Sequence, residues 1–346
     1  MDIYHFSTST PDGTIKAEEA NAIIDADAET IRQRMSETLT QAQTVANDYS
    51  TALQEIAAEE APKIYGEGGG MAADGSLATA IDPVTFAKLS DSAYADGTSS
   101  PQNLPQGWRE ADEDELRALG LDPSMFNDDG SGSNASLFVN EDGQYVLAFR
   151  GSDKEWNDWS DNLTGSMMVT RQQKQATELG ARVRSALEAN GIDHSQLHFT
   201  GHSLGGGLAS MASISTGVPA TTFNPAGLGA NDINFAQQRR IDLYAETSSA
   251  SDERARVNAY VSEDDILNDF QDNTRAPDAY GTRHNIDTAG SPEEAFRAAY
   301  EQALGKGNIH APEEYQAAVA AGNAAALKHR LDAHGLEPLI EALENK

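Results

Sequence analysis

The segment that most restricts how this chain can fold is residues 197–209, Leu-His-Phe-Thr-Gly-His-Ser-Leu-Gly-Gly-Gly-Leu-Ala. A short apolar strand pattern, 197–200, runs into Gly201-His202-Ser203-Leu204-Gly205, and 204–215 then reads as a helix. A strand that turns directly into a helix at a serine holds that serine on a sharp, strained bend. Glycines on either side let the neighbouring backbone approach where a β-carbon would collide. The same bend lifts the hydroxyl above the edge of the sheet and aims the first helical N–H groups beside it.

The flanking sequence supplies the sheet this turn needs. Residues 82–95 read as helix and 99–132 as a loop-rich acidic stretch. A hairpin follows, with Leu137-Phe138-Val139 and 145–149 as its arms and Glu141-Asp142-Gly143 as its turn. Ala176, Leu179, Val183 and Leu187 mark one face of a helix closed by Gly191. Further strands are expected at 220–223 and 257–261. Strands alternating with helices predict an α/β fold with a mostly parallel sheet covered on both faces.

Ahead of this region, residues 16–61 contain neither proline nor glycine. Their apolar positions, from Ile24 and Ile31 to Leu53 and Ile56, recur at steps of three, four or seven. That spacing predicts one long amphipathic helix or a helical hairpin. Pro62 and the glycine-rich run 66–75 read as a linker. The expected organisation is an N-terminal helical region with its linker at 1–75 and an α/β domain at 76–346. The helical region is expected to pack on the α/β domain, with a protein-binding or export arm as the alternative.

Composition removes several functions. The chain has no cysteine, so disulfides, a thiolate nucleophile and thiolate metal sites are excluded. Its formal net charge of −31 disfavours nucleic-acid binding and electrostatic docking on anionic membranes. Adaptation to salty surroundings is one reading of that charge; plain solubility is the other. No apolar run approaches a membrane span, and Met1-Asp2-Ile3-Tyr4-His5 does not open a secretory signal. The expectation is a cytoplasmic protein or one exported by a route that reads no such signal.

Thr200–Ser210 (TGHSLGGGLAS) and the upstream Phe149-Arg150-Gly151-Ser152 resemble the class 3 lipases, an α/β-hydrolase family with bacterial phospholipase A1-like members. The resemblance spans roughly 80–346 and leaves the N-terminal helical region outside. It implies Ser203 as nucleophile, with the backbone N–H of Leu204 and the residue after Phe-Arg-Gly, Ser152, as oxyanion donors. A tight turn just past a buried strand, ending in a small hydroxyl residue, is a suitable place for such a donor.

A serine hydroxyl needs a histidine base oriented by a carboxylate. The α/β-hydrolase order, serine then acid then histidine, removes His5, His194, His198 and His202 as the base. Glu263, Asp264 and Asp265 all follow the strand at 257–261. Asp265, ahead of Ile266-Leu267, matches the family's acid followed by two apolar residues, with Asp264 as its competitor. Among the later histidines, His284 falls in a strand soon after the acid. His334-Gly335 precedes a helix with Leu336, Leu339, Ile340 and Leu343 on one face, and resembles the family's His-Gly before its last helix. A loop histidine steadied by a docked terminal helix suits a base, so His334 is favoured over His329 and His310.

The resulting expectation is a serine ester hydrolase of the lipase or phospholipase A1 kind, with triad Ser203, Asp265 and His334 and no cofactor or metal. An acyltransferase with the same triad, a secreted effector lipase with a carrier- or immunity-binding helical arm, and a binding module that has kept the fold are the alternatives. Trp156, Trp159 and Leu163 fall on one helical face beside Ser152, as a lid over the site or as core. The expected substrate is an ester with an apolar acyl chain, met at a transient membrane-surface contact. The acidic charge favours neutral or zwitterionic lipids.

Overall fold

A computed structural model of the chain describes residues 81–94, 104–128, 133–151, 169–305 and 312–346. The chain divides into two units, Met1–Ser76 and Leu77–Lys346, and all the described residues belong to the second. The expected N-terminal helix, the linker, Ser152, the tryptophans of the expected lid and His310 lie outside the described residues.

Helix α1, Pro83–Ser92, begins where Asp82 accepts the Thr85 N–H and Pro83 supplies a helix-compatible φ at the first position. Strand β1 (Trp108–Glu110), helix α2 (Glu113–Ala118) and the two-residue strand β2 (Asn127–Asp128) occupy the stretch expected to be loop. Their order comes from partners rather than from periodicity. Asp112 and Glu115 form a reciprocal capping box on α2, and β1 pairs with the first hairpin arm. The hairpin itself is β3 (Ser133–Asn140) and β4 (Tyr145–Phe149), paired antiparallel.

From β4 onward the chain alternates strand and helix. Helix α3 (Arg171–Ala189) leads to β5 (Leu197–His202), then α4 (Leu204–Thr216) and β6 (Ala220–Phe223). Helices α5 (Ala230–Tyr244) and α6 (Ala250–Ala255) precede β7 (Val257–Ser262). Helix α7 (Ile266–Asn273) precedes β8 (Thr282–Ile286), and α8 (Pro292–Leu304), α9 (Pro312–His334) and α10 (Leu336–Glu344) complete the fold.

The strands lie in the order β1-β3-β4-β5-β6-β7-β8, with β2 paired to β3. Pairing is antiparallel at the β1, β3 and β4 end and parallel from β4 to β8. Alternate residues of a strand face opposite sides, and both sides are buried. Leu147, Phe149, Leu197 and Phe199 join a core with Leu179, Val183, Leu208 and Met211 of α3 and α4. Val146, Ala148 and Phe223 instead join Phe86 and Leu89 of α1 and Leu336 and Leu339 of α10. The sheet is therefore the middle layer of an α/β fold, with α10 docked on the face that also carries α1.

Candidate active site

The parallel strands end in step. Phe149 lies opposite Gly201, His202 opposite Phe223, and Phe223 opposite Tyr260. The residues that leave β4, β5, β6 and β7 therefore collect along one carboxyl edge, where open α/β sheets place their ligands. They include Gly151, Ser203, Asn224 and Asp265.

Ser203 occupies the bend between β5 and α4 with φ 57° and ψ −126°. That backbone region is hostile to a residue with a β-carbon and costs on the order of 1–3 kcal/mol. Main-chain hydrogen bonds hold it there. The Ser203 N–H donates to the Phe223 carbonyl at 3.0 Å, and the Ser203 carbonyl accepts from Ala226 N–H at 2.9 Å and Gly206 N–H at 3.0 Å. Close approach is the second requirement. A β-carbon at Gly205 would strike the Phe149 carbonyl, and one at Gly201 would strike the Gly205 carbonyl. The glycines let α4 begin directly against the ends of β4 and β5. Leu204 is the first residue of α4, where a backbone N–H has no partner within the helix.

Three side chains from distant parts of the sequence meet at this bend. Ser203 Oγ is 2.9 Å from His334 Nε2, and His334 Nδ1 is 2.6 Å from Asp265 Oδ1. The carboxylate can only accept, so Nδ1 carries the proton and Nε2 accepts from the serine hydroxyl. Asp265 is completely buried and caps α7, accepting from Leu267 N–H at 3.3 Å and Asn268 N–H at 2.9 Å. The Asn268 side-chain amide donates to it as well. The helix N-terminus and these donors fix the carboxylate in place. The His334 side chain is 15% exposed and Ser203 9%, against 0% for Asp265, so the acid is the most deeply buried of the three.

His334 is the last residue of α9 and does not lie in a loop. The end of a helix leaves carbonyls without partners, and here side chains from the strand ends take them up. Asn224 Nδ2 donates to the Ala333 and His334 carbonyls, each at 3.0 Å, while its Oδ1 accepts the Ser262 N–H at 2.8 Å. His202 Nε2 lies 2.7 Å from the same His334 carbonyl. Burial, with the His334 imidazole beside it, pushes the pKa of His202 down to about 3. The base thus has its main chain held from two sides and its ring from a third.

The neighbouring candidates fall elsewhere. Asp264 meets His329, with Oδ2 and Nε2 3.2 Å apart, and His284 Nε2 meets Asn258 Oδ1 at 3.0 Å. The sequence alone assigns no role to Tyr94, Asn224 or Asn268, and it removes His202 as the base without giving it another role. Nothing local marks the first three, whereas His202 is at least flagged by its place inside the Gly-x-Ser-x-Gly stretch. A cavity of about 520 Å³ lined by Pro83, Tyr260, His284, Ile286, Leu343 and Lys346 shares no residue with the serine, histidine and aspartate cluster. Among the described residues no group of three or more histidines and carboxylates is arranged to hold a metal ion.

A family model described as a Tle-like phospholipase domain matches residues 85–326, a span that includes Ser203 and Asp265 and ends before His334. An extracellular phospholipase A1 from Serratia liquefaciens is 34% identical over 189 residues, 53% of this chain and 53% of the relative. The chain thus spans about half the length of the curated relative it matches. Among solved structures, the extracellular lipase LipA from Serratia marcescens is 16% identical with a TM-score of 0.29, covering 46% of this chain and 28% of LipA. An esterase from Pyrobaculum calidifontis is 13% identical with a TM-score of 0.27, covering 73% of this chain and 91% of the esterase. The family match extends over well more than half of the sequence, and on that ground the chain belongs to the Tle-like phospholipase domain family.

Proposed function

We propose that this protein is a serine carboxylic-ester hydrolase that cleaves the acyl esters of lipids, with phospholipids as the favoured substrates. The observation that carries the reading is the continuous hydrogen-bonded series from Ser203 Oγ through His334 to the buried Asp265, at 2.9 and 2.6 Å, on a strained strand-to-helix bend. Family membership and the phospholipase A1 activity named for the Serratia liquefaciens relative support the substrate class.

In this reading His334 Nε2 takes the Oγ proton as Ser203 attacks the acyl carbonyl. The carbonyl electron pair moves onto oxygen, where the Leu204 N–H receives it together with Ser152, the second donor that the resemblance to the class 3 lipases implies. Collapse expels the alcohol, which leaves with the proton from His334. A water molecule repeats the relay on the acyl-enzyme and releases the fatty acid. Asp265 stays ionised throughout and stabilises the imidazolium that forms twice per turnover. The charge of −31 favours zwitterionic over anionic lipid surfaces.

Purified protein incubated with phosphatidylcholine, and products identified by mass spectrometry, test the reading. Release of free fatty acid and lysophospholipid is expected, falling by about 10⁵-fold in Ser203→Ala. Hydrolysis that survives the substitution would overturn it. Adding an alcohol acceptor separates hydrolysis from acyl transfer, since a transferase would yield the new ester as its main product.

A further inference from the structure

The ester-cleaving scheme leaves two partly buried polar groups unused, Tyr94 just beyond α1 and His202 at the end of β5. The His202 ring lies 4.9 Å from the His334 ring, centroid to centroid, and its Nε2 is 2.7 Å from the His334 carbonyl oxygen. A carbonyl only accepts, so Nε2 must carry a proton. Burial pushes the pKa of this imidazole down to about 3 and keeps it neutral, so Nδ1 is left as an acceptor. Nδ1 is 3.1 Å from the Tyr94 hydroxyl, nearer than the His202 carbonyl oxygen at 3.4 Å, and takes the hydroxyl proton. The Tyr94 oxygen in turn accepts the Gly151 N–H at 3.1 Å. Each link fixes the direction of the next. The series runs one way, from the Gly151 amide through Tyr94 and His202 to the main chain of His334.

Its two ends are the two sides of the reaction. Gly151 directly precedes Ser152, and His334 is the base. The contact at Gly151 is also close enough that a β-carbon there would strike the Tyr94 hydroxyl. Asn224 grips the same His334 carbonyl but ties it to Ser262 of β7, not to the Gly151 loop.

We propose that Tyr94 and His202 are positioning residues, forming a one-way hydrogen-bonded strut that sets the spacing between the oxyanion loop at Gly151 and the base His334. The proposal rests on the triad reading given above. The strut touches neither substrate nor nucleophile; it acts by keeping the oxyanion donor and the proton acceptor registered on the same tetrahedral intermediate. Displacements of about 1 Å in such an arrangement cost up to roughly 10²-fold in rate.

Tyr94→Phe removes one hydroxyl and His202→Phe keeps a ring of similar size. Each is expected to lower kcat on a chromogenic short-chain ester about 10-fold with KM within about twofold. The double variant is expected to be no slower than the slower single one, because breaking either link breaks the whole strut. Effects that multiply, or a loss of melting temperature with kcat unchanged, would overturn the proposal. The unaltered protein provides a second measurement that no folding defect can cloud. Nitrogen-15 spectra of its histidines should show His202 neutral, protonated at Nε2 and bare at Nδ1, from about pH 5 to pH 8. The opposite tautomer, or a charged ring in that range, would refute the strut. If Ser203→Ala still hydrolysed lipid, the triad reading would fall instead, and the histidine spectrum would still decide the strut.

Discussion

Two histidine–aspartate pairs bridge the same two elements, the turn after β7 and helix α9. Asp264 and Asp265 are consecutive, and His329 and His334 stand about one and a half turns apart on the helix. The outer pair, Asp264 with His329, is 3.2 Å apart with side chains 26% and 18% exposed. The inner pair, Asp265 with His334, is 2.6 Å apart with Asp265 at 0% and His334 at 15%. Residue types are the same, and what differs is their surroundings. Asp265 caps α7 and is held by backbone donors, and the second ring nitrogen of His334 reaches a serine. Asp264 stands one residue before the cap of α7, and its carboxylate meets His329. An acid and a histidine become a proton relay only when the acid is immobilised and dry and the second nitrogen meets a nucleophile.

The sharpest way to break this comparison is to neutralise each acid in turn. Asp265→Asn is expected to reduce kcat by about 10⁴-fold, because the amide favours the wrong imidazole tautomer and cannot stabilise the imidazolium. Asp264→Asn and His329→Ala should leave kcat within about threefold and lower the melting temperature by about 2–4 °C, the scale of a partly exposed pair. Steady-state kinetics with thermal melts on these variants would decide it. Comparable losses of turnover at Asp264 and Asp265 would mean that the pairs share the work.

How much of this could be read in the sequence depends on the range over which each feature is encoded. The β5–Ser203–α4 bend is a local signal, because apolar strand, glycines and helix follow one another within a dozen positions. Layering was legible for the same reason: Leu147 and Phe149 against Val146 and Ala148 is a period of two with both faces apolar. Asp265 is favoured over the adjacent Asp264 in sequence only by the two apolar residues that follow it, Ile266-Leu267, whereas in the fold Asp265 is set apart as the cap of α7. The sequence places His334 in a loop ahead of the last helix, yet Asn224 and His202 take up the last carbonyls and α9 runs to that residue. The stretch 99–132 holds β1 and α2 through pairing and capping, which leave no long apolar period to detect. Tyr94 and Asn224 act across more than a hundred residues of sequence, and such partnerships have no spacing to be read.

A buried histidine without a carboxylate partner refines the contrast by the smallest effect. His198 stacks on Phe86 at 4.1 Å and meets the Thr221 hydroxyl at 3.0 Å. Burial pushes its pKa down to about 3. In the unfolded chain a histidine titrates near ~6.5, so between those values the unfolded state binds a proton that the folded state refuses. The contribution of neutral His198 is therefore complete above about pH 6.5 and is lost as pH falls towards 3. Urea midpoints of the wild type should drop more steeply between about pH 6 and pH 4 than those of His198→Asn, which has no ring to titrate. Parallel curves would show that burial of this ring carries no such cost.

The central claim, that Ser203 is the nucleophile activated through His334 and Asp265, is tested most directly by fluorophosphonate labelling followed by peptide mapping. The account predicts a single adduct on Ser203 in the wild type, slow labelling in Asp265→Asn, and wild-type labelling in Asp264→Asn. An adduct on another residue, or labelling of Ser203 at an undiminished rate in Asp265→Asn, would contradict it.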